Sequence, residues 1–379
     1  MLNFTSAVYL GLQHPHKGLQ PWAELTEGIP AALGEPAIAG DLTQRMARLV
    51  GCERALFSPS TLHLFWDLFG TGSIRGRPVW VDAGTYPIAR WGAERAASKG
   101  ATVQRFRHYS PEALRAQLLR PGAARSNPVV VCDGLCPGCE RIAPVSEYLS
   151  VVRHAGGTLL IDDTQALGIY GDRSQPCSPY GAGGGGILRW TGVQDPGIIV
   201  ISSLAKGFGV PVAVLAGSAR AVSRFEKESE TRVHCSPPSV AILHAAKHAL
   251  DVNDRYGDAL RRQLLKLVRR FGGRLRRQGI AVAGGLFPLQ TIRGTKGRAA
   301  AELHDRLLRL GIKTVLHRDR DDDMARVSFV ITARHTAVEI DTAVHAVLTA
   351  IGAMSRCEAI CRRAGQACNS AAAQGAHKI

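Results

Sequence analysis

The chain opens without the basic segment and long apolar core that mark a secretory signal; MLNFTSAVYL carries neither, so none is expected. It also lacks an uninterrupted apolar run of membrane length. The most apolar stretch, Gly197 to Ser218, is broken by Lys206 and several glycines. These two absences lead us to expect a cytoplasmic protein with no membrane partner. Acid is in short supply: 31 Asp and Glu face 47 Lys and Arg, leaving a formal net charge of +16. Such an excess suits nucleic acid or acidic ligands. Much of it, however, lies in RRQLLKLVRRFGGRLRRQG, Arg261 to Gly279, where Leu, Val and Phe recur at helical spacing and arginine covers the other face. That is the pattern of a solvated helix face. The nine cysteines are an odd set in a chain with no secretion signal, so reduced and mostly buried thiols are expected. At 379 residues the chain can hold one large domain and a smaller one.

What is present is concentrated between Gly157 and Ser218. GTLLIDDTQALGIYG closes an apolar run with Asp162 and Asp163, and IIVISSLAKGFGVPVAVLAGS delivers Lys206 into a glycine-rich turn. Thr158 to Ile161 and Ile198 to Ile201 are short, β-branched and bounded by glycine, which predicts two buried strands. An acid at the carboxyl end of one strand and a lysine just past the next put both charges on one rim of a parallel sheet. Open α/β sheets bind ligands at that rim. A lysine among Ser, Gly and Phe can form a Schiff base, and a buried aspartate can hold a pyridinium nitrogen protonated. Together they describe a site for pyridoxal 5'-phosphate (PLP). Either residue alone reads as a structural acid or a surface lysine.

Three other signals carry less. GAGGGG, Gly181 to Gly186, has the form G-x-G-x-x-G, but a Pro/Ser-rich loop precedes it and ILRW follows. It is therefore not a dinucleotide fingerprint, and a loop packed near the active site is expected. Cys132, Cys136 and Cys139 show C-x3-C-x2-C spacing, which also occurs at iron–sulfur clusters. Zinc would need a fourth ligand that no nearby spacing suggests, so ordinary thiols and no metal are expected. DLTQRMARLVG reads as a helix capped by Asp41.

DDTQALGIYG, SSLAKGFG and the opening NFTSAVYLGLQHP resemble the α-oxoamine synthases among the fold-type I PLP enzymes, over about Asn3 to Ala350. The resemblance implies an α/β, fold-type I PLP-dependent transferase. Its large domain would have a mostly parallel, seven-stranded type of sheet, with a small α+β C-terminal domain. The expected divisions are an N-terminal arm (1–40), the large PLP-binding domain (41–272), the small domain (273–355) and a frayed tail (356–379).

Carried over position by position, Lys206 forms the Schiff base and then serves as general base or acid at the substrate Cα. Asp162, with Asp163 as second choice, partners the pyridinium. Tyr86 stacks on the ring where the family usually has His. Ser60 and Thr61, in the turn Ser58 to Thr61, hold the phosphate together with Ser203, for which Ser202 could substitute. Asp133 falls where the family has Glu. Gln165 stands in place of the family's His beside the 3-oxygen; it can hydrogen-bond there but cannot exchange protons. His234 and Ser236, in VHCSPP, match a turn that reaches the neighbouring subunit's cofactor, which implies a homodimer with shared active sites. Two contacts to an amino-acid carboxylate are replaced. Ala7 stands for Asn, and Ser328, in ARVSFVITARH, stands for Arg. Arg326, two residues away on the same strand face, is the candidate substitute.

The implied reaction is decarboxylative condensation of an amino acid with an acyl thioester, the donor being acyl-CoA or an acyl carrier protein. The departures at Ala7, Gln165 and Ser328 keep open an aminotransferase, or other PLP chemistry on an atypical amine. A basic regulatory protein on the same fold is the remote reading. Nucleic acid is not an expected partner, because the ~40 residues before Asp41 are too few for a DNA-binding module.

Overall fold

The computed structural model describes residues 1–70, 74, 76–119, 127–174, 178–318 and 324–354. The tail expected to be frayed lies outside the described residues. In chain order, β1 (Leu2–Asn3) and α1 (Ala39–Val50) precede β2 (Arg54–Ser58), α2 (Thr61–Gly70), β3 (Val79–Asp82), α3 (Pro87–Ser98), β4 (Val103–Phe106), α4 (Pro111–Leu118) and β5 (Val129–Asp133). A short hairpin, β6 (Leu135–Cys136) and β7 (Arg141–Ile142), then α5 (Val145–Arg153), leads to β8 (Thr158–Asp162), α6 (Ile187–Thr191), β9 (Ile198–Ser203) and β10 (Ala213–Gly217). Helices α7 (Ala219–Glu228), α8 (Glu230–His234) and α9 (Val240–Arg277) follow. The remainder holds β11 (Val282–Ala283), β12 (Leu289–Ile292), α10 (Arg298–Arg309), β13 (Ile312–Lys313), β14 (Val315–Arg318), β15 (Ala325–Val330) and a last helix, α11 (Ala337–Met354).

The chain divides into two compact units. One comprises Ala7–Leu264 and Thr332–Arg334; the other comprises Met1–Ser6, Leu265–Ile331 and the chain from His335 onward. The divide falls inside α9, and the first six residues group with the C-terminal part.

In the first unit seven strands form one sheet in the order β2-β10-β9-β8-β5-β3-β4. Only β10 runs against its neighbours. This is the mostly parallel seven-stranded sheet that the resemblance implies. Strands buried on both faces read as continuous apolar runs, and VVVCD in β5 and TLLID in β8 do so. Each fully buried Val, Leu or Ile contributes about 1.5–3 kcal/mol of hydrophobic stabilisation. β2, β3, β5, β8 and β9 share one direction, and each ends on a polar residue: Ser58, Asp82, Asp133, Asp162 and Ser203. These five side chains therefore gather along one carboxyl rim.

Two sequence expectations are corrected in this unit. α1 starts at Ala39 with Ile38 as its cap, so Asp41 sits in the first turn and acts through the helix dipole. Arg261 is no part of a solvated face: it is 1% exposed. Its guanidinium donates to the Gly168 carbonyl at 2.9 Å, to Asn253 Oδ1 at 2.9 Å and to Asp258 Oδ1 at 2.7 Å. A cation this deep persists because each guanidinium nitrogen finds an acceptor, and it pins the segment after β8 to α9.

In the second unit β11-β12-β15-β14 form an antiparallel sheet, and β1 lies parallel to β13 with Leu2 opposite Ile312. Phe4 meets Phe329 edge-on at 5.5 Å. α11 is long and apolar enough to cross a membrane, with a mean hydropathy of 1.4 over 18 residues. The sequence reading placed the most apolar stretch at Gly197 to Ser218, which instead forms β9 and β10. Within its unit, α11 buries Ile340, Ala343, Val347 and Ala350 at helical spacing, and its Asp341 accepts from Arg270 at 2.7 Å.

Candidate active site

The two acids that close β8 have different surroundings. Asp162 is 7% exposed, and its Oδ1 accepts from the Thr164 N–H at 3.0 Å. Burial pushes its carboxyl above the ordinary aspartate range; the Thr164 hydrogen bonds and the Lys206 charge pull the other way. Asp163 is buried too. Its Oδ2 accepts from the Ile187 N–H at 2.8 Å, while its Oδ1 has no hydrogen-bond partner among the described residues. Burial pushes this carboxyl well up, the Ile187 amide opposes, and the Asp162 charge adds to the rise. Glycine at position 186 permits that contact. Gly186 has a φ of +86°, and a Cβ there would lie 1.9 Å from Asp163 Oδ2.

Lys206 follows β9, and its Nζ lies 5.7 Å from the centroid of the Tyr86 ring. Tyr86 caps α3 and keeps its ring well exposed. Its N–H donates to Asp133 Oδ1 at 2.9 Å, and the Tyr109 hydroxyl donates to the Asp133 carbonyl at 2.8 Å. Asp133 thus braces the Tyr86 backbone. The Ser203 N–H donates to Thr164 Oγ1 at 3.0 Å, tying the end of β9 to the turn after Asp162. Ser202 is fully buried and its Oγ has no partner among the described residues.

Ser60 sits at the start of α2 with its Oγ 2.8 Å from His63 Nδ1, and Thr61 is the first helical residue. Ser58, Pro59 and His63 line one narrow crevice with Cys235 and Ser236 of the same chain; His234, beside them, is exposed. Gln165 is held by Tyr9, whose hydroxyl donates to its Oε1 at 2.8 Å. Burial raises the Tyr9 phenol, so it stays protonated as a donor. The Ala7 carbonyl accepts from the Tyr9 N–H at 2.8 Å, so Ala7 shapes the turn through its backbone. His14 backs the segment after Lys206: its Nε2 is 2.9 Å from the Phe208 carbonyl and its Nδ1 is 3.0 Å from His248 Nδ1.

Arg326 and Ser328 lie in the second unit, on β15. Ser328 is fully buried, and its Oγ is 2.7 Å from Thr291 Oγ1 and 2.7 Å from His317 Nε2. Arg326 is the cross-strand partner of His317. Ser328 is therefore already committed to hydrogen bonds within its own sheet.

Tyr9, His14 and His317 escaped the sequence reading. Tyr9 lies 156 residues from Gln165, and His317 reaches Ser328 only through strand pairing. The three-cysteine motif does not converge as a set. Cys132 is buried in β5, whereas Cys136 and Cys139 gather with His108.

A model of the aminotransferase class I and II family matches residues 1–347. The 8-amino-7-oxononanoate synthase of Sodalis glossinidius (strain morsitans) is 26% identical over 355 residues, which span 91% of this chain and 87% of that protein. A high-resolution structure of SPT (serine palmitoyltransferase) with PLP internal aldimine matches with a TM-score of 0.80 at 18% identity, covering 93% of this chain and 88% of that one. The crystal structure of 8-amino-7-oxononanoate synthase from Francisella tularensis matches with a TM-score of 0.72 at 17% identity, covering 94% and 99%. The two structures share the fold. By family and by fold, the chain belongs to the aminotransferase class I and II family.

Proposed function

We propose that this protein is a PLP-dependent acyltransferase of the α-oxoamine synthase kind. It condenses an amino acid with an acyl thioester, carried by coenzyme A or an acyl carrier protein, with loss of CO2. It works as a homodimer with shared active sites. The observation that carries the reading is the convergence of Asp162, Lys206 and Tyr86 on one rim. The name of the Sodalis relative supports acyl transfer over transamination.

The residues present fit PLP. Asp162 is a buried carboxylate whose donors, among the described residues, come from Thr164 alone. A carboxylate has roughly four lone-pair positions, so a protonated ring nitrogen is the partner it lacks. Tyr86 offers an exposed ring face beside Lys206. The start of the ten-residue α2, with Ser60, Thr61 and His63, offers amides and hydroxyls to a phosphate. Ser202 Oγ, which has no partner among the described residues, is a further buried hydroxyl next to Ser203.

When bound, PLP supplies an electron sink for negative charge at the substrate Cα. Lys206 takes and returns the proton at that carbon. Asp162 keeps the ring nitrogen protonated, while Asp163, held by the Ile187 amide, keeps the Gly-rich loop in place. Tyr9 occupies Gln165 Oε1, which leaves the Gln165 amide N–H groups to donate to the 3-oxygen. Glutamine moves no proton, so proton traffic at Cα rests on Lys206. Tyr86, braced by Asp133, covers the ring face against water. Within the second unit, Ser328 is spent on Thr291 and His317.

The test incubates the purified enzyme with amino acids and acyl-CoA and follows free thiol and CO2. Stoichiometric release of both supports the reading. Conversion to the pyridoxamine form with no thiol release overturns it in favour of an aminotransferase or other PLP chemistry on an atypical amine.

A further inference from the structure

A second constellation sits on the same unit, and the reaction above does not use it. The hairpin β6–β7 pairs Cys136 with Arg141, so the four residues from Pro137 to Glu140 form its turn. Glu140 holds the left-handed conformation at a φ of +62°, the tight return that brings Cys139 back over Cys136. The Cys139 sulfur lies 4.0 Å from the Cys136 carbonyl oxygen. Two thiols in C-x2-C spacing thus share one side of a hairpin.

His108 arrives from the loop after β4. Its Nδ1 lies 2.5 Å from Asp82 Oδ1, and its ring stacks on Tyr109 with centroids 3.9 Å apart. Asp82 is fully buried and is itself held by the Gly84 N–H at 2.7 Å, the Tyr109 N–H at 2.8 Å and the Tyr148 hydroxyl at 2.9 Å. With Nδ1 fixed in this way, Nε2 is aimed at Cys139 Sγ, 3.2 Å away. A ring nitrogen of His108 and the two sulfurs all lie within 4.8 Å of one another.

We propose that His108, Cys136 and Cys139 form a site for a zinc-type, soft divalent cation, with the fourth tetrahedral position left to solvent or an exogenous donor. Zinc bonds of about 2.3 Å to sulfur and 2.0–2.1 Å to nitrogen put tetrahedral ligands about 3.6–3.8 Å apart, inside the 4.8 Å limit that the three ligand atoms keep here. A carboxylate on the far nitrogen of a histidine is the usual outer support of such a ligand. A disulfide would need neither the imidazole nor the buried carboxylate behind it. A nucleophilic thiol–imidazole pair would need no second sulfur. Binding replaces the proton shared between His108 and Cys139 and displaces the remaining thiol proton; both go to solvent, and no electron moves. The metal clamps the hairpin after β5 to the loop after β4. The proposal does not depend on the PLP reading.

The test uses the full chain, stripped of metal with a chelator and kept reduced with a phosphine. Cobalt(II) is titrated in and the spectrum recorded. We expect one equivalent to give sulfur-to-cobalt charge transfer and intense tetrahedral visible bands, displaced by zinc. Cys136→Ser, Cys139→Ser and His108→Ala should each abolish them, and Cys235→Ser should leave them intact. Asp82→Asn should weaken cobalt binding roughly 10- to 100-fold. If a variant fails to fold, alkylation of the wild-type chain decides: zinc should protect Cys136 and Cys139 but not Cys235. Absence of the bands in the wild type, their survival in the ligand variants, or equal alkylation with and without zinc overturns the proposal.

Discussion

β3 and β8 flank β5 in one sheet, and each ends on a buried aspartate, yet the two acids are built for different work. Asp82 has its acceptor positions filled by Gly84, Tyr109, Tyr148 and His108. Asp162 has Thr164, and the charge of Lys206 nearby. A saturated carboxylate organises the protein around it. An undersupplied one, buried and pushed toward its neutral form, is stable as an anion only when a ligand completes its shell. Position on the rim is shared; the number of donors tells the two apart.

The comparison can be broken at either end. The largest effect is expected at Lys206: Lys206→Ala should lower turnover by about 10²- to 10⁴-fold and remove the Schiff-base absorption band. A variant that keeps the band would move the covalent lysine elsewhere. Next is Asp162→Asn, which should weaken PLP binding roughly ten- to a hundredfold by loss of a charged hydrogen bond, measured by cofactor titration. At Asp82 the deficit should fall on stability instead. Asp82→Ala strands several buried donors and should cost about 2–4 kcal/mol in urea unfolding, with little change in PLP affinity per folded molecule. If Asp82→Ala and Asp162→Asn give the same profile, the distinction fails.

Acid titration sharpens the contrast. Asp162 and Asp163 have carboxyls raised by burial, so the folded apo-protein binds those protons more tightly than the unfolded chain. Their contribution is most favourable in acid and declines as pH climbs past the unfolded range near about 4. Asp163→Asn should therefore raise the Tm of the apo-protein at neutral pH relative to wild type, with the gain shrinking toward pH ~4. A gain that is constant with pH would point to packing rather than charge. The smallest effect is at Tyr9→Phe, which removes one neutral hydrogen bond to Gln165 and should cost about 0.5–1.5 kcal/mol of stability.

The parts legible in the sequence are those that local pattern controls. β8 and β9 announce themselves as β-branched runs stopped by polar residues and glycine, so Asp162 and Lys206 could be placed on one rim before any coordinates. The parts that were hidden depend on pairing across distance. Nothing near Gln165 points to Tyr9, 156 residues away, and nothing near Cys136 points to His108, because sheet order sets which loops meet. Arg261 was misread for a related reason. Its helical pattern fits a solvated face, but the carbonyl and carboxylate that receive it lie on other segments or other turns. Ser328 looked like a vacancy in a carboxylate clamp, and side-chain hydrogen bonds with Thr291 and His317 on the neighbouring strands give it occupations of its own.

The pairing of Leu2 with Ile312 has a consequence for how the protein is made. A ribosome adding roughly 5–20 residues each second needs about 15–60 s to travel between those two positions. Through that interval the first strand has emerged while its mate does not yet exist. Leu2 thus finds its strand partner only after all of the intervening chain has been made.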